Sequence, residues 1–255
     1  PLHHILASDF DALRHGPLQV LRLSDCNIVS INDTALQGLT NLTSLSLAHN
    51  PINYMLLGTA LQALGNGTNL AFLDLSRNLL PYIFPELLRS FPSLQILDLS
   101  NSSIVHITTD VLECLPTLHT LELQDNKLPK LRNLSILQNL RRLNLRNNLL
   151  TGIDISQLPN LEFVDLSHNQ IEVIPAKWIT QTDGLRILNL SHNKLHHISP
   201  HAFHKVTLNH LDLSHNRLNT LHSFGMLKLS MLVLSHNQMH TITDDAFLHL
   251  EQTLE

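Results

Sequence analysis

His168, His192, His215 and His236 recur at near-equal intervals, each directly before an Asn, and a row of four imidazoles could decorate a turn, titrate together or hold a metal. Zinc would need several ring nitrogens converging at about 2.0–2.1 Å on one ion, which a straight, exposed ladder does not guarantee. Consensus decoration is therefore the first reading, pH sensing the second and metal binding the last. Ser167 and His168 with Asp165, and Ser214 and His215 with Asp212, contain the residue types of a hydrolytic triad. Neighbouring residues of an extended segment point apart, however, and no Gly-x-Ser-x-Gly elbow is present. No residue is assigned a catalytic role, and the chain is read as no enzyme. The sequence holds neither a phosphate-binding Gly loop nor a Cys-x-x-Cys pair, so no cofactor or metal is expected.

The spacing of those histidines belongs to a longer pattern that must position them. The frame Leu-x-x-Leu-x-Leu-x-x-Asn opens at Leu18, Leu42, Leu70, Leu94, Leu118, Leu140, Leu161, Leu185, Leu208 and Leu229, and of its Leu slots Val164 alone is not Leu. The closing residue falls at Cys26, Asn50, Asn78, Ser102, Asn126, Asn148, Asn169, Asn193, Asn216 and Asn237, giving periods of 24, 28, 24, 24, 22, 21, 24, 23 and 21. Self-similarity at such a period is the mark of a solenoid of stacked units.

These motifs resemble the repeat of leucine-rich repeat proteins. The resemblance implies an α/β fold, a leucine-rich repeat solenoid or horseshoe with a concave parallel β-sheet and an irregular convex side bearing short helical turns. Residues 1–255 are read as a single domain of ten full repeats with partial repeats at both ends and caps missing. Leu2-x-x-Ile5-x-x-x-x-Phe10 matches Leu195-x-x-Ile198-x-x-x-x-Phe203, so the chain opens on the tail half of a repeat, and Leu254 starts another frame. Together with a first residue of Pro1, this is the pattern expected of a segment cut from a longer protein.

Within each frame strand alternation sends the fourth and sixth positions into the core and the third, fifth and seventh outward. The ninth-position Asn turns inward to satisfy backbone groups whose burial unpaired would cost roughly 1–3 kcal/mol each. Ser102 and Cys26 are small enough to stand in for it, the latter as a core thiol. Apolar pairs such as Ile171 and Ile174, or Leu195 and Ile198, followed by Phe203 or Phe247, should line the other half of the core. Pro85-Glu86-Leu87-Leu88 and Pro175-Ala176-Lys177-Trp178 read as helix starts with Pro at the first helical position. The excess of the 28-residue repeat, Tyr54 to Leu64, reads as a helical turn or bulge on the outer face.

The outward columns are where a rigid sheet would present binding groups. Third positions include Phe72, Ile96, Arg142 and Phe163; fifth positions include Asp74, Asp98, Glu122 and Asp165; Arg146 stands at a seventh. Apolar groups rimmed by charge are the usual look of a partner surface. The competing reading is that Leu-Asp-Leu is consensus and the apolar side chains merely cover the sheet.

Composition narrows the partner and the compartment. Sixteen basic residues against 21 acidic ones disfavour nucleic acid. No terminal stretch reads as a signal peptide and no apolar run approaches the roughly 20 residues of a membrane helix, so membrane attachment would come through a flanking helix outside this chain. Asn-x-Ser/Thr sequons at Asn32, Asn41, Asn66, Asn101, Asn133 and Asn189 fit glycosylation on a secretory route. Cys26 and Cys114 lie about three strand spacings apart and are read as unpaired with each other. The repeat length near 24, the tail Phe, and Val164-Asp165-Leu166-Ser167-His168-Asn169 and Leu211-Asp212-Leu213-Ser214-His215-Asn216 resemble Toll-like receptor and chaoptin ectodomains. That likeness implies an extracellular, cell-surface or endosomal-lumen receptor segment for a protein or other macromolecular ligand, with homo- or heterodimerisation open. The alternatives are an intracellular adaptor and a regulatory repeat segment of a larger enzyme.

Overall fold

The computed structural model describes residues 3–52, 54–65, 68–179, 184–203, 206–223 and 227–246. Contacts gather into two units, Pro1–Lys127 and Leu128–Glu255. In the first, strands Val20–Arg22, Ser44–Ser46, Phe72–Asp74, Ile96–Asp98 and Thr120–Glu122 pair in parallel, each aligned with the same frame position of the next. In the second, Arg142–Asn144, Phe163–Asp165, Ile187–Asn189, Val206–Asp212 and Leu227–Val233 do likewise. Every strand covers the third to fifth frame positions, as the alternation requires.

Inward burial follows the frame. Leu45, Leu73, Leu97 and Leu121 in one unit and Leu143, Val164, Leu188 and Leu211 in the other are fully covered, as are the sixth-position leucines from Leu47 to Leu213. Covering one such side chain stabilises by roughly 1.5–3 kcal/mol. Leu21, Leu232 and Leu234, on or just past the outermost strands, are half-buried. Burial at the fourth and sixth positions is thus complete only where a repeat packs on both sides.

The inward Asn forms a ladder. Asn50 Nδ2 donates to the Leu23 carbonyl of the preceding repeat at 2.8 Å and to Leu47 O at 2.9 Å, while its Oδ1 accepts from the Cys26 and Ile28 amides. The same pattern recurs at Asn126, Asn169, Asn193 and Asn216. Ser102, fully buried, reproduces the donor half through Oγ to Ser100 O and Leu75 O. Cys26 is half-buried and not the core thiol expected, because it sits in the outermost repeat; its Sγ donates to Ser24 O.

The seventh position departs from expectation in five repeats, whereas Arg146 is exposed as expected. Ser76, Ser100, Ser167, Ser191 and Ser214 are buried, because the strand ends at position five and the alternation ends with it. The chain then turns through a left-handed residue at position eight, with φ between 51° and 59° in all ten repeats from Asp25 to His236.

On the outer side, residues 54–65 form a helix of three turns, longer than the single turn expected. Leu57, Ala60, Leu61 and Leu64 recur at helical spacing and are buried. Pro85–Leu88 is helical with Pro at its start, as its sequence indicates. Pro175–Trp178 is not: Lys177 adopts φ 57°, which an α-helix cannot accommodate, and the Trp178 indole instead donates to Ile153 O at 2.7 Å. Ile171, Ile174, Leu195, Ile198 and Phe203 are buried as expected. Phe247 and Leu254 lie outside the described residues.

Candidate binding surfaces

The nine residues expected on the outward face divide between the two units. In the first, Phe72 and Ile96 are register partners at the third position, half-buried and 37% exposed respectively. Asp74, Asp98 and Glu122 are register partners at the fifth. Strand spacing therefore sets three carboxyls abreast at about 4.8 Å intervals. Burial, and then the neighbouring Asp74 and Glu122, raise the Asp98 pKa above the ordinary carboxylate value. Asp74 is held by Ser76 and by the Ser46 hydroxyl at 2.7 Å.

In the second unit the Arg142 guanidinium lies 3.8 Å over the centre of the Phe163 ring, a cation–π contact between register partners. Such a contact contributes about 0.5–1 kcal/mol when exposed and fixes both side chains. Asp165 accepts from the Ser167 amide at 2.9 Å, and Arg146 is exposed. The side chains thus form two sets: apolar and acidic in the first unit, and in the other an arginine–phenylalanine pair beside a carboxylate, with a second arginine just past the strand end.

The histidines stack. Rings of His168, His192, His215 and His236 lie face to face at 4.1, 4.0 and 4.1 Å between centroids, tilted by 9–12°. Restricted solvent access, and then the adjoining imidazoles, lower the pKa of His192 and His215. Among the described residues no group of three or more ligand-type side chains converges on a metal position. Ser167, His168 and Asp165 form no relay, since the Ser167 Oγ is buried without a hydrogen-bond partner and His168 packs on His192. Cys26 and Cys114 are free thiols.

Of the sequons, Asn101 and Asn133 are exposed on left-handed turns. Asn32 is exposed with its Oδ1 bonded to Thr34, and Asn41 is exposed with its Nδ2 donating to Gly16 O at 2.9 Å. Asn189 is half-buried on a strand, its Oδ1 accepting from the Ser191 amide. Asn66 lies outside the described residues.

One feature escaped sequence reasoning. On the outer side of the second unit a groove of about 840 Å³ crosses three successive repeats, with Lys130, Arg132 and Lys177 among its lining. Its signal was present in the two shortest consecutive periods, 22 and 21.

Strand register, leucine core and asparagine ladder together define a leucine-rich repeat protein. The family model described as Leucine rich repeat matches residues 16–66, 68–128 and 159–218, and that for Leucine Rich repeats (2 copies) matches 138–176. The chain belongs to this family. It is 42% identical to mouse (Mus musculus) Tsukushi over 88 residues, 32% of this chain and 25% of that protein. It is 39% identical to rat (Rattus norvegicus) leucine-rich repeat-containing G-protein coupled receptor 5 over 92 residues, covering 35% of this chain and 10% of the receptor. The chain thus spans a quarter or less of these relatives. Among solved structures, Toll in the Drosophila Toll–Spatzle complex superposes with a TM-score of 0.75 at 20% identity, over 96% of this chain and 36% of Toll. The leucine-rich repeat domain of APL1B gives 0.68 at 25% identity, over 91% and 73%.

Proposed function

We propose that the chain is the ligand-binding part of an extracellular or cell-surface receptor and that it binds a protein or another macromolecule through its outward sheet residues. The observation that carries this reading is the placement of large side chains where a solvated sheet would favour polar ones: Phe72 and Ile96 abreast in one unit, Phe163 capped by Arg142 in the other. Each pair stands beside fifth-position carboxylates, an apolar centre with a charged rim. The work is done by a preorganised surface, so no chemical step is involved. Toll, which shares the fold, is held in a complex with Spatzle, and the likeness to a G-protein coupled receptor's repeats supports the receptor reading.

A panel of secreted and cell-surface proteins, screened against the immobilised chain and against a variant with alanine at Phe72, Ile96, Arg142 and Phe163, tests the surface. Partners captured by the wild type and lost by the variant support it; partners captured equally by both refute it. The free Cys26 and Cys114 thiols would also suit an intracellular adaptor. Glycosidase treatment of protein from a secretory host separates the two: a mass shift supports the extracellular reading, and an unmodified chain supports the adaptor.

A further inference from the structure

We propose that the outer-face groove of the second unit is a binding site for a sulfated polysaccharide, separate from the sheet surface. The groove exists because two short consecutive repeats, with periods of 22 and 21, have few residues in their outer segments. Among the described residues of this unit, outer strand pairing begins at Val173–Ile174, so segments 130–135 and 151–157 form no such ladder. Lys177 then turns left-handed and Trp178 folds inward, closing the far wall.

The electrostatics are one-sided. Lys130, Arg132 and Lys177 are exposed and, among the described residues, take part in no ion pair. Asp154 is the single carboxylate in the lining, and its Oδ1 is occupied by the Ser156 amide at 3.0 Å and the Ser156 hydroxyl at 2.7 Å. Those bonds hold its pKa down, so it stays ionised and turned to its own turn. Three cations against one committed carboxylate make a cationic recess on a chain of net charge −5.

The chemistry of the ligand follows from what the cations are and what lies between them. Each is solvated, and an exposed pairing is weak, so one small anion would not be retained; the ligand must carry several anionic groups in a row. Ser135, Thr151 and Gln157 in the lining offer hydrogen bonds, and the exposed Gly152 and Pro175 offer non-ionic surface to the C–H faces of sugar rings. Single-stranded nucleic acid would want open aromatic platforms, and Trp178 is only 4% exposed. The cations line a recess, which a flat lipid surface cannot enter. A volume of about 840 Å³ lies within the usual range of ligand clefts.

The test is direct binding of a heparin octasaccharide by calorimetry, at two salt concentrations. It is run in an Asn133→Gly background, because Asn133 lines the groove as part of a sequon, and glycine suits its φ of 59°. Expected are saturable binding that weakens with salt, loss of binding by the desulfated octasaccharide, and an affinity loss of about tenfold or more in K130A/R132A/K177A, roughly what three weak pairings amount to. The charge-matched control R22A/R77A/R217A should change affinity by less than about twofold, on the order of ordinary long-range screening. Unchanged far-ultraviolet circular dichroism and thermal midpoint verify folding of both variants. The proposal is overturned if the groove variant binds as the parent does, if the control loses as much, if the desulfated sugar binds equally, or if phosphatidylserine vesicles or a single-stranded oligonucleotide bind as tightly. Its failure would leave the sheet-surface reading untouched, since the two share no residue.

Discussion

Replacing Asn193 with alanine tests the asparagine ladder at a point where its consequences can be counted. Asn193 Nδ2 donates to Leu166 O at 2.9 Å and Leu190 O at 3.1 Å, and its Oδ1 accepts from the Ile171 amide at 3.0 Å. The two carbonyls are not stranded by the change, because Asn169 also donates to Leu166 O and Asn216 to Leu190 O. The Ile171 amide has no second acceptor and is left buried and unpaired. One orphaned donor costs about 1–3 kcal/mol and each lost bond to a still-partnered carbonyl about 0.5–1.5, so the total should be about 2–6 kcal/mol. Asn193→Ser should recover part of this, since Ser102 already performs the donor half of the role. Urea unfolding followed by Trp178 fluorescence measures the cost, and hydrogen exchange at the Ile171 amide locates it. Repeat arrays open locally, so the amide should lose protection even if global unfolding broadens. Asn193→Ala within about 0.5 kcal/mol of the parent, with Ile171 still protected, would show that the ladder does not hold the turns.

Leu188→Ala should cost about 2–5 kcal/mol and Leu143→Ala a similar amount, whereas half-buried Leu232→Ala should cost clearly less; equal losses in denaturant titrations would contradict the graded burial. Asp98 has a raised folded pKa, so its ionised form opposes folding above that pKa and the penalty fades as pH falls; Asp98→Asn should raise the urea midpoint at pH 7 and converge with the parent in acid. For His192 and His215 the folded pKa lies below the unfolded value, so their share of stability is intact above the ordinary histidine pKa and is lost as pH falls through it. A His192→Gln/His215→Gln variant should therefore lose less stability between pH 7 and 5 than the parent, and an identical pH profile would assign acid sensitivity elsewhere. Peptide mapping should find Asn101 and Asn133 more fully glycosylated than Asn41 or Asn189; a protein ligand packed directly over a glycosylated Asn189 would refute the expectation that a glycan there excludes partners from that stretch.

The fold was legible because a nine-residue frame constrains burial, hydrogen bonding and register at once. Leu73, Leu97 and Leu121, or Asn126 and Asn169, can be placed without any knowledge of the rest of the chain. Legibility stopped where the frame stops. Ser76, Ser100, Ser167, Ser191 and Ser214 at the seventh position are buried because a strand of three residues ends before alternation can reach them. Pro175 has the same local signal as Pro85, yet one begins a turn and the other a helix; the Trp178 indole anchored on the preceding repeat is a tertiary contact that no helix-start signal encodes. The outward residues were placed on the correct face, but sequence could not reveal that Arg142 lies over Phe163 or that burial would raise Asp98. The groove depends on two neighbouring repeats being short together, which a position-by-position reading does not register.

The eighth position shows how scaffold and function can share one residue. All ten residues there have φ of 51–59°, a region that Asn, Asp and His enter more readily than most side chains. Asp25, His49, Asn101, Asp125, Asn147 and the four stacked histidines satisfy that backbone demand equally; Arg77 meets it less easily. Conformation therefore explains why the column is drawn from a short list, and it explains nothing about the run of four histidines. Asn would supply the same φ without a titrating ring, whereas four His bring face-to-face contact at about 4 Å and, at His192 and His215, a lowered pKa. The turn selects for a type of residue, and the stack is what histidine adds beyond the turn, so a column of Asn in its place should keep the fold and lose the acid-sensitive stability expected of His192 and His215.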